Sequence, residues 1–141
     1  MPDPYNLQRF VAAQQDVIEE AYVQLRAGRK TGHWMWFIFP QVQGLGYSVL
    51  AREFAIGDRE EASAYLEHEV LGPRLKECSR LVNLVDGRSI QEIFGSPDDL
   101  KFRSSMTLFS HLTAENNVFL EALKKYFNGE SDPATLERLN P

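Results

Sequence analysis

The chain is nearly free of cysteine. Its single thiol, Cys78, rules out an internal disulfide and a multi-cysteine metal site. Because it falls within a helical pattern, it reads as a small buried hydrophobe and not as a nucleophile. Histidine is also scarce: His33, His68 and His111 are widely spaced and match no zinc signature. Basic charge is in deficit, with 15 Lys and Arg against 20 Asp and Glu, for a formal net charge of −5 and a pI of about 5.2. Such a chain gains little from phosphate counterion release or from an anionic bilayer, so neither nucleic acid nor a membrane is expected as a partner. Apolar runs are too short to span a bilayer. The opening Met-Pro-Asp-Pro-Tyr-Asn lacks the basic and apolar regions of a signal peptide, so a soluble cytoplasmic protein is expected. Period-two alternation between turn residues is nearly absent, which leaves no segment that reads as sheet. Repeats, low-complexity tracts and linkers are absent as well.

What remains is an ordinary globular composition, 43% hydrophobic and 25% charged over 141 residues. Chains of this length bury roughly 68–70% of their unfolded surface, so residues 1–141 are expected to form one domain with its own core. Helical punctuation dominates. Asn6 is placed to cap a helix carrying Leu7, Phe10, Ile18, Ala21, Tyr22 and Leu25 and closed by Gly28. Asp58 caps a second, with Glu60 and Glu61 in its first turn. Gly72-Pro73 marks a break, with Pro73 in the first turn of a helix that ends at Asp86-Gly87. Ser89 opens a short helix that closes at Gly95. Ser96 then caps, with Pro97 first, a helix running through Leu112. Further helices are expected around Val118–Phe127 and after Asp132-Pro133. The fold class is therefore all-α, a single compact domain of about seven helices.

The densest information lies at 29–41, Arg-Lys-Thr-Gly-His-Trp-Met-Trp-Phe-Ile-Phe-Pro-Gln. The six large apolar residues from Trp34 to Phe39 must be buried, and with no partner strand in view they read as a short buried helix ended by Pro40. Four features here and further on can carry chemistry. Lys30 and His33 stand just before the buried run, and His33 has the near-neutral pKa of a general base. Its alternative is a histidine satisfied by a backbone carbonyl. Trp34 and Trp36 would point about 200° apart on a helix, so at most one lines a pocket, where an indole can stack on a base or sugar.

Gln41-Val42-Gln43-Gly44-Leu45-Gly46 follows, and its two glycines permit the close backbone approach that phosphate loops use. It lacks the third glycine and strand context of a dinucleotide fingerprint, and the Lys-Ser/Thr of a P-loop, so a plain turn is the competing reading. On the helix after Pro97, Lys101, Ser104 and Ser105 share a face by three-and-four spacing, an arrangement able to hold a carboxylate or phosphate. Close helix packing by the serines is the alternative there. Asp98 and Asp99 already occupy the positive end of that helix. No motif calls for a metal or cofactor.

The strings Gly32-His33-Trp34-Met35-Trp36-Phe37-Ile38-Phe39-Pro40-Gln41, Gly44-Leu45-Gly46 and Ser104-Ser105-Met106-Thr107-Leu108-Phe109, with Ile93-Phe94-Gly95 between, resemble a bacterial all-helical family of unknown function. The resemblance covers nearly the whole chain. It departs at Phe54-Ala55-Ile56, where tyrosine is expected, and at Glu69, where proline is usual. It implies a compact all-α fold and no established reaction. Members are often labelled calpastatin-like, a label this composition does not support, since calpastatins are disordered repeats of low hydrophobicity.

Three functions are consistent with these residues. The first is a domain binding a small polar anionic ligand, nucleotide or ADP-ribose-like, beside Trp34–Phe39, with Lys30, Trp34, Trp36, Gln41, Gly44, Gly46, Lys101, Ser104 and Ser105 as its contacts. The second is a hydrolase or glycohydrolase on a nucleotide-derived substrate in the same pocket, with His33 or Asp99 as acid or base. The third is an interaction module with no small-molecule site. Whether the chain is an enzyme and whether it oligomerises stay open at this level.

Overall fold

The computed structural model describes residues 2–113 and 117–139. Among them ten helices follow one another: α1 Gln8–Gln15, α2 Ile18–Arg26, α3 Met35–Ile38, α4 Val49–Glu53, α5 Arg59–Glu67, α6 Leu71–Asn83, α7 Ile90–Phe94, α8 Asp98–Ser110, α9 Val118–Phe127 and α10 Pro133–Leu139. Seven of them run for seven residues or more. No strand forms among the described residues, and one isolated parallel bridge joins Val42 to Ile56. The fold is all-α.

Several helices start where local chemistry requires. The side chains of Ser48, Asp58 and Asn117 each accept a backbone N–H from three residues on, and Ser89 and Glu92 form a reciprocal capping box. Four expectations need correction. The segment from Asn6 to Gly28 is two helices, not one. The apolar pattern has a gap between Phe10 and Ile18, and buried Gln14 fills it. Gln14 donates to the Phe37 carbonyl at 2.7 Å and to the Tyr65 hydroxyl at 3.0 Å. Asn6 adopts φ 51°, and the α1 start is held instead by Asp3, which accepts from Leu7 N at 2.8 Å and Gln8 N at 3.0 Å. The break near Gly72-Pro73 lies just upstream, where His68 Nδ1 accepts from Val70 N and Leu71 N, so both residues sit in the first turn of α6. Finally, Pro97 and not Ser96 holds the cap position of α8, and it makes no side-chain cap bond.

The core is built around α3. Trp34, Met35, Ile38 and Phe39 are all at or below 2% exposure. Phe39 meets the edges of Phe94 and Phe102 at 5.7 and 5.1 Å between centroids, and those two rings stack at 4.9 Å. Tyr65 joins Phe10 to Phe109 at 5.0 and 5.5 Å. Polar knots tie the loops to this core. Arg9 donates to the carbonyls of Glu53 and Ala55 at 2.8 and 2.9 Å and pairs with Glu61 at 2.9 Å, while Glu61 also accepts from Gly57 N. Gln24 Oε1 accepts three N–H groups, from Thr31, Gly32 and the Trp34 indole, at 2.9 to 3.0 Å.

Burial also sets a pH limit. Cys78 is enclosed in the core, and desolvation pushes its thiol from 9.0 up to about 12. Burial raises Tyr126 from 10.0 to about 12 in the same way, and raises Tyr65 as well. All three folded values lie above the unfolded ones. Their contribution to stability is therefore complete below about pH 9 and is lost as pH rises toward 12, because the unfolded chain then sheds protons that the folded chain retains. The urea midpoint is expected to fall between about pH 8 and about pH 11. A midpoint that stays level across that range would contradict this burial.

Candidate functional site

Pro40 ends the α3 segment and turns the chain into a loop, Gln41 to Ser48. The base of this loop is clamped: Gln43 N donates to the Ile56 carbonyl and Ile56 N to the Gln41 carbonyl, both at 2.8 Å. Its far end is fixed where Ser48 caps α4. Residues of α8 and the turn before it, Pro97, Leu100, Lys101 and Ser104, follow the three-and-four spacing of one helical stripe. A third wall comes from the start of α10. Arg103 on α8 donates to the carbonyls of Glu130 and Ser131 at 3.1 and 2.9 Å, and Asp132 N donates to Thr107 Oγ1 at 2.9 Å. Asp132 is thereby laid against α8. These three elements enclose an open cleft of about 420 Å³, whose polar lining groups include Gln41, Ser48, Lys101, Ser104 and Asp132. That volume falls within the range of small-molecule sites. A recess lined by Trp36, Gln41, Gly44 and Gly46 adjoins it.

Charge is organised along one line. Lys30 Nζ lies 2.9 Å from Asp98 Oδ2 and 5.0 Å from the Trp34 ring centroid. Lys101 Nζ lies 3.5 Å from Asp98 Oδ1 and 5.2 Å from the Trp36 ring. Asp98 thus bridges two ammonium groups, each resting against an indole. Lys30, 8% exposed at its side chain, is committed to the fold, whereas Lys101 opens onto the cleft. In the same cleft, Asp132 Oδ2 accepts from Ser104 Oγ at 3.1 Å, Thr135 N at 3.1 Å and Thr135 Oγ1 at 2.6 Å.

The residues singled out from sequence therefore fall into separate groups. Gln41, Gly46, Lys101 and Ser104 line the cleft together. Trp36 and Gly44 line the adjoining recess. Trp34 is core, its indole N–H given to Gln24. Ser105 and Asp99 are buried, each with one side-chain oxygen lacking a hydrogen-bond partner, and neither lines the cleft. His33 is exposed and lies outside it. Sequence reasoning missed Tyr47, Ser48, Leu100 and Asp132 as lining residues. Ser48 and Asp132 were legible as helix starts, and that role concealed a second one. Tyr47, 79% exposed beside Gly46, could have been marked as an aromatic with no amphipathic pattern to bury it. Among the described residues, no group of three or more His, Cys, Asp or Glu is placed to hold a metal ion, and no helix is long and apolar enough to cross a membrane.

Fold and cleft together define a class: an all-α domain with a polar cleft between a glycine-bearing loop and one long helix. The chain belongs to the family described as protein of unknown function DUF1810, whose profile matches residues 4–139. It is 56% identical to the conserved hypothetical protein Rv1873 from Mycobacterium tuberculosis. The crystal structure of that protein at 1.38 Å matches with a TM-score of 0.97 over 99% of each chain. A search of curated proteins finds no significant match.

Proposed function

We propose that this chain binds a small polar anionic ligand, nucleotide or ADP-ribose-like, in the cleft between the Gln41–Ser48 loop and α8. The observation that carries this reading is Lys101, an ammonium at the wall of a cleft of ligand size, backed by the Trp36 ring and flanked by Gln41 and Ser104. Lys30 supports it by sharing the charge of Asp98, so that the trio Lys30, Asp98 and Lys101 keeps one net positive charge. Exposed Tyr47 supplies a face on which a base can stack. Binding is preferred to the hydrolase reading built on His33 or Asp99 because neither residue lines the cleft. The calpastatin-like label gains nothing from a globular domain with a continuous buried core.

The test is thermal-shift screening of nucleotides and sugar phosphates, followed by titration of Lys101→Met. At millimolar concentration at least one phosphate ligand should raise the melting temperature. Lys101→Met keeps the side-chain stem and removes the charge, so affinity should fall about 10-fold or more. If no library member stabilises the protein, the reading fails. A second reading, a protein-interaction face, draws on Tyr47, Val49 and Leu100, which are 79%, 81% and 56% exposed near the cleft. A stable dimer in light scattering would favour it.

A further inference from the structure

We infer that Asp132 selects the hydroxyl end of the ligand, so that the cleft prefers a phosphate-bearing polyol, such as a ribonucleoside monophosphate, over its deoxygenated analogue. This rests on the anion-binding reading above and adds to it a specificity residue and an orientation. The cleft is not uniformly positive. The trio at Lys101 carries one net positive charge, and Asp132 carries one negative charge. A bare polyanion filling the whole cleft would be repelled at the Asp132 wall. A ligand with an anionic end and a neutral donor end satisfies both walls.

The carboxylate is built for that task. Its hydrogen bonds all fall on Oδ2, from Thr135 N, Thr135 Oγ1 and the Ser104 hydroxyl, which it shares with the Leu100 carbonyl; this fixes the group and leaves Oδ1 to accept. Asp132 N is held by Thr107, so backbone and side chain are both positioned before a ligand arrives. Lys101 and Ser104 are one helical turn apart, a rise of roughly 4.5 Å, and Ser104 touches Asp132. Lys101, Ser104 and Asp132 line the same cleft, so one ligand can meet the ammonium with its phosphate and the carboxylate with its hydroxyls. A hydroxyl suits this partner better than a second ammonium, which would enter the cleft that Lys101 already lines and be repelled by it.

The experiment is isothermal titration of the full chain with AMP and with 2′,3′-dideoxy-AMP, repeated on Asp132→Asn. Asparagine keeps the shape, and its oxygen can still accept from Ser104 and Thr135, but it presents an N–H where a hydroxyl donor expects an acceptor. The intact protein should bind AMP about 10-fold or more tighter than the dideoxy compound, since a charged hydrogen-bond acceptor left unpaired costs that much. Asp132→Asn should erase the ratio chiefly by weakening AMP. Equal binding of the two nucleotides by the intact protein overturns the inference without using any variant. A ratio that survives in Asp132→Asn, with its melting temperature intact, overturns it as well. Both results leave anion binding standing, whereas binding of neither nucleotide nor any other phosphate at millimolar levels removes the anion reading and this inference with it.

Discussion

Trp34→Ala is expected to cost about 4 kcal/mol of folding stability. The indole is 1% exposed and packs 6.3 Å from the Phe39 ring, at the hub that joins α3 to Phe94 and Phe102. Its removal leaves a cavity that the short α3 cannot collapse into, because Pro40 and the Gly32 backbone hold both ends. Gln24 loses one of its three donors as well. A domain of ordinary stability has only about 5–15 kcal/mol in total, so the variant should melt about 10 °C lower or more. Trp36→Ala is the control. That ring is partly buried beside the recess and carries Lys101 on its face, so its loss should weaken ligand binding more than folding. Urea unfolding of the pair decides the matter: losses that are equal, or a Trp34→Ala loss below about 1.5 kcal/mol, would contradict the division of the two indoles between core and cleft.

Gly72→Ala should destabilise by about 2–3 kcal/mol, although helix propensity favours alanine, by up to about 1 kcal/mol in a helix interior and less in the first turn where Gly72 lies. The sign is settled by one contact. A Cβ on Gly72 would stand 2.2 Å from the Leu66 carbonyl oxygen and 3.1 Å from its carbon. Leu66 belongs to α5, and its carbonyl is backbone, so no rotamer change can relieve the overlap. Either α5 and α6 move apart or the first turn of α6 unwinds. Gly129→Ala offers the comparison, since there a Cβ meets nothing within 4 Å and only the positive φ of 77° opposes it. Its cost should stay near 1 kcal/mol. Thermal or urea unfolding of both variants tests the contrast, and a Gly72→Ala protein as stable as the parent would sink the close-crossing account.

The helix starts at Asp58 and Ser89 illustrate what a one-dimensional reading can reach. Each is a side chain bonding a backbone N–H three residues ahead, so its whole mechanism lies within four consecutive residues. The run Trp34–Phe39 was legible in part for a similar reason: Trp34, Met35, Ile38 and Phe39 are buried, while Trp36 and Phe37, expected to be buried with them, are half-buried. The interruption after Gln14 was not. Nothing near it in sequence announces that its amide will be claimed by Phe37 and Tyr65, 23 and 51 positions away.

The candidate site divides the same way. Sequence alone determined an all-α chain, the caps at Asp58 and Ser89, a buried aromatic wedge, and the short stretches around Gln41 and Lys101 where polar groups are tied to that wedge. Tertiary structure decided which of these groups meet. It brought Gln41, Gly46, Lys101 and Ser104 to one cleft, left His33 on the surface, enclosed Ser105 and Asp99, and added Asp132 from the far end of the chain. Helical periodicity says which residues share a face of their own helix. It does not say what that face will meet, because contacts across 60 to 90 residues depend on how each helix buries its apolar stripe against the others.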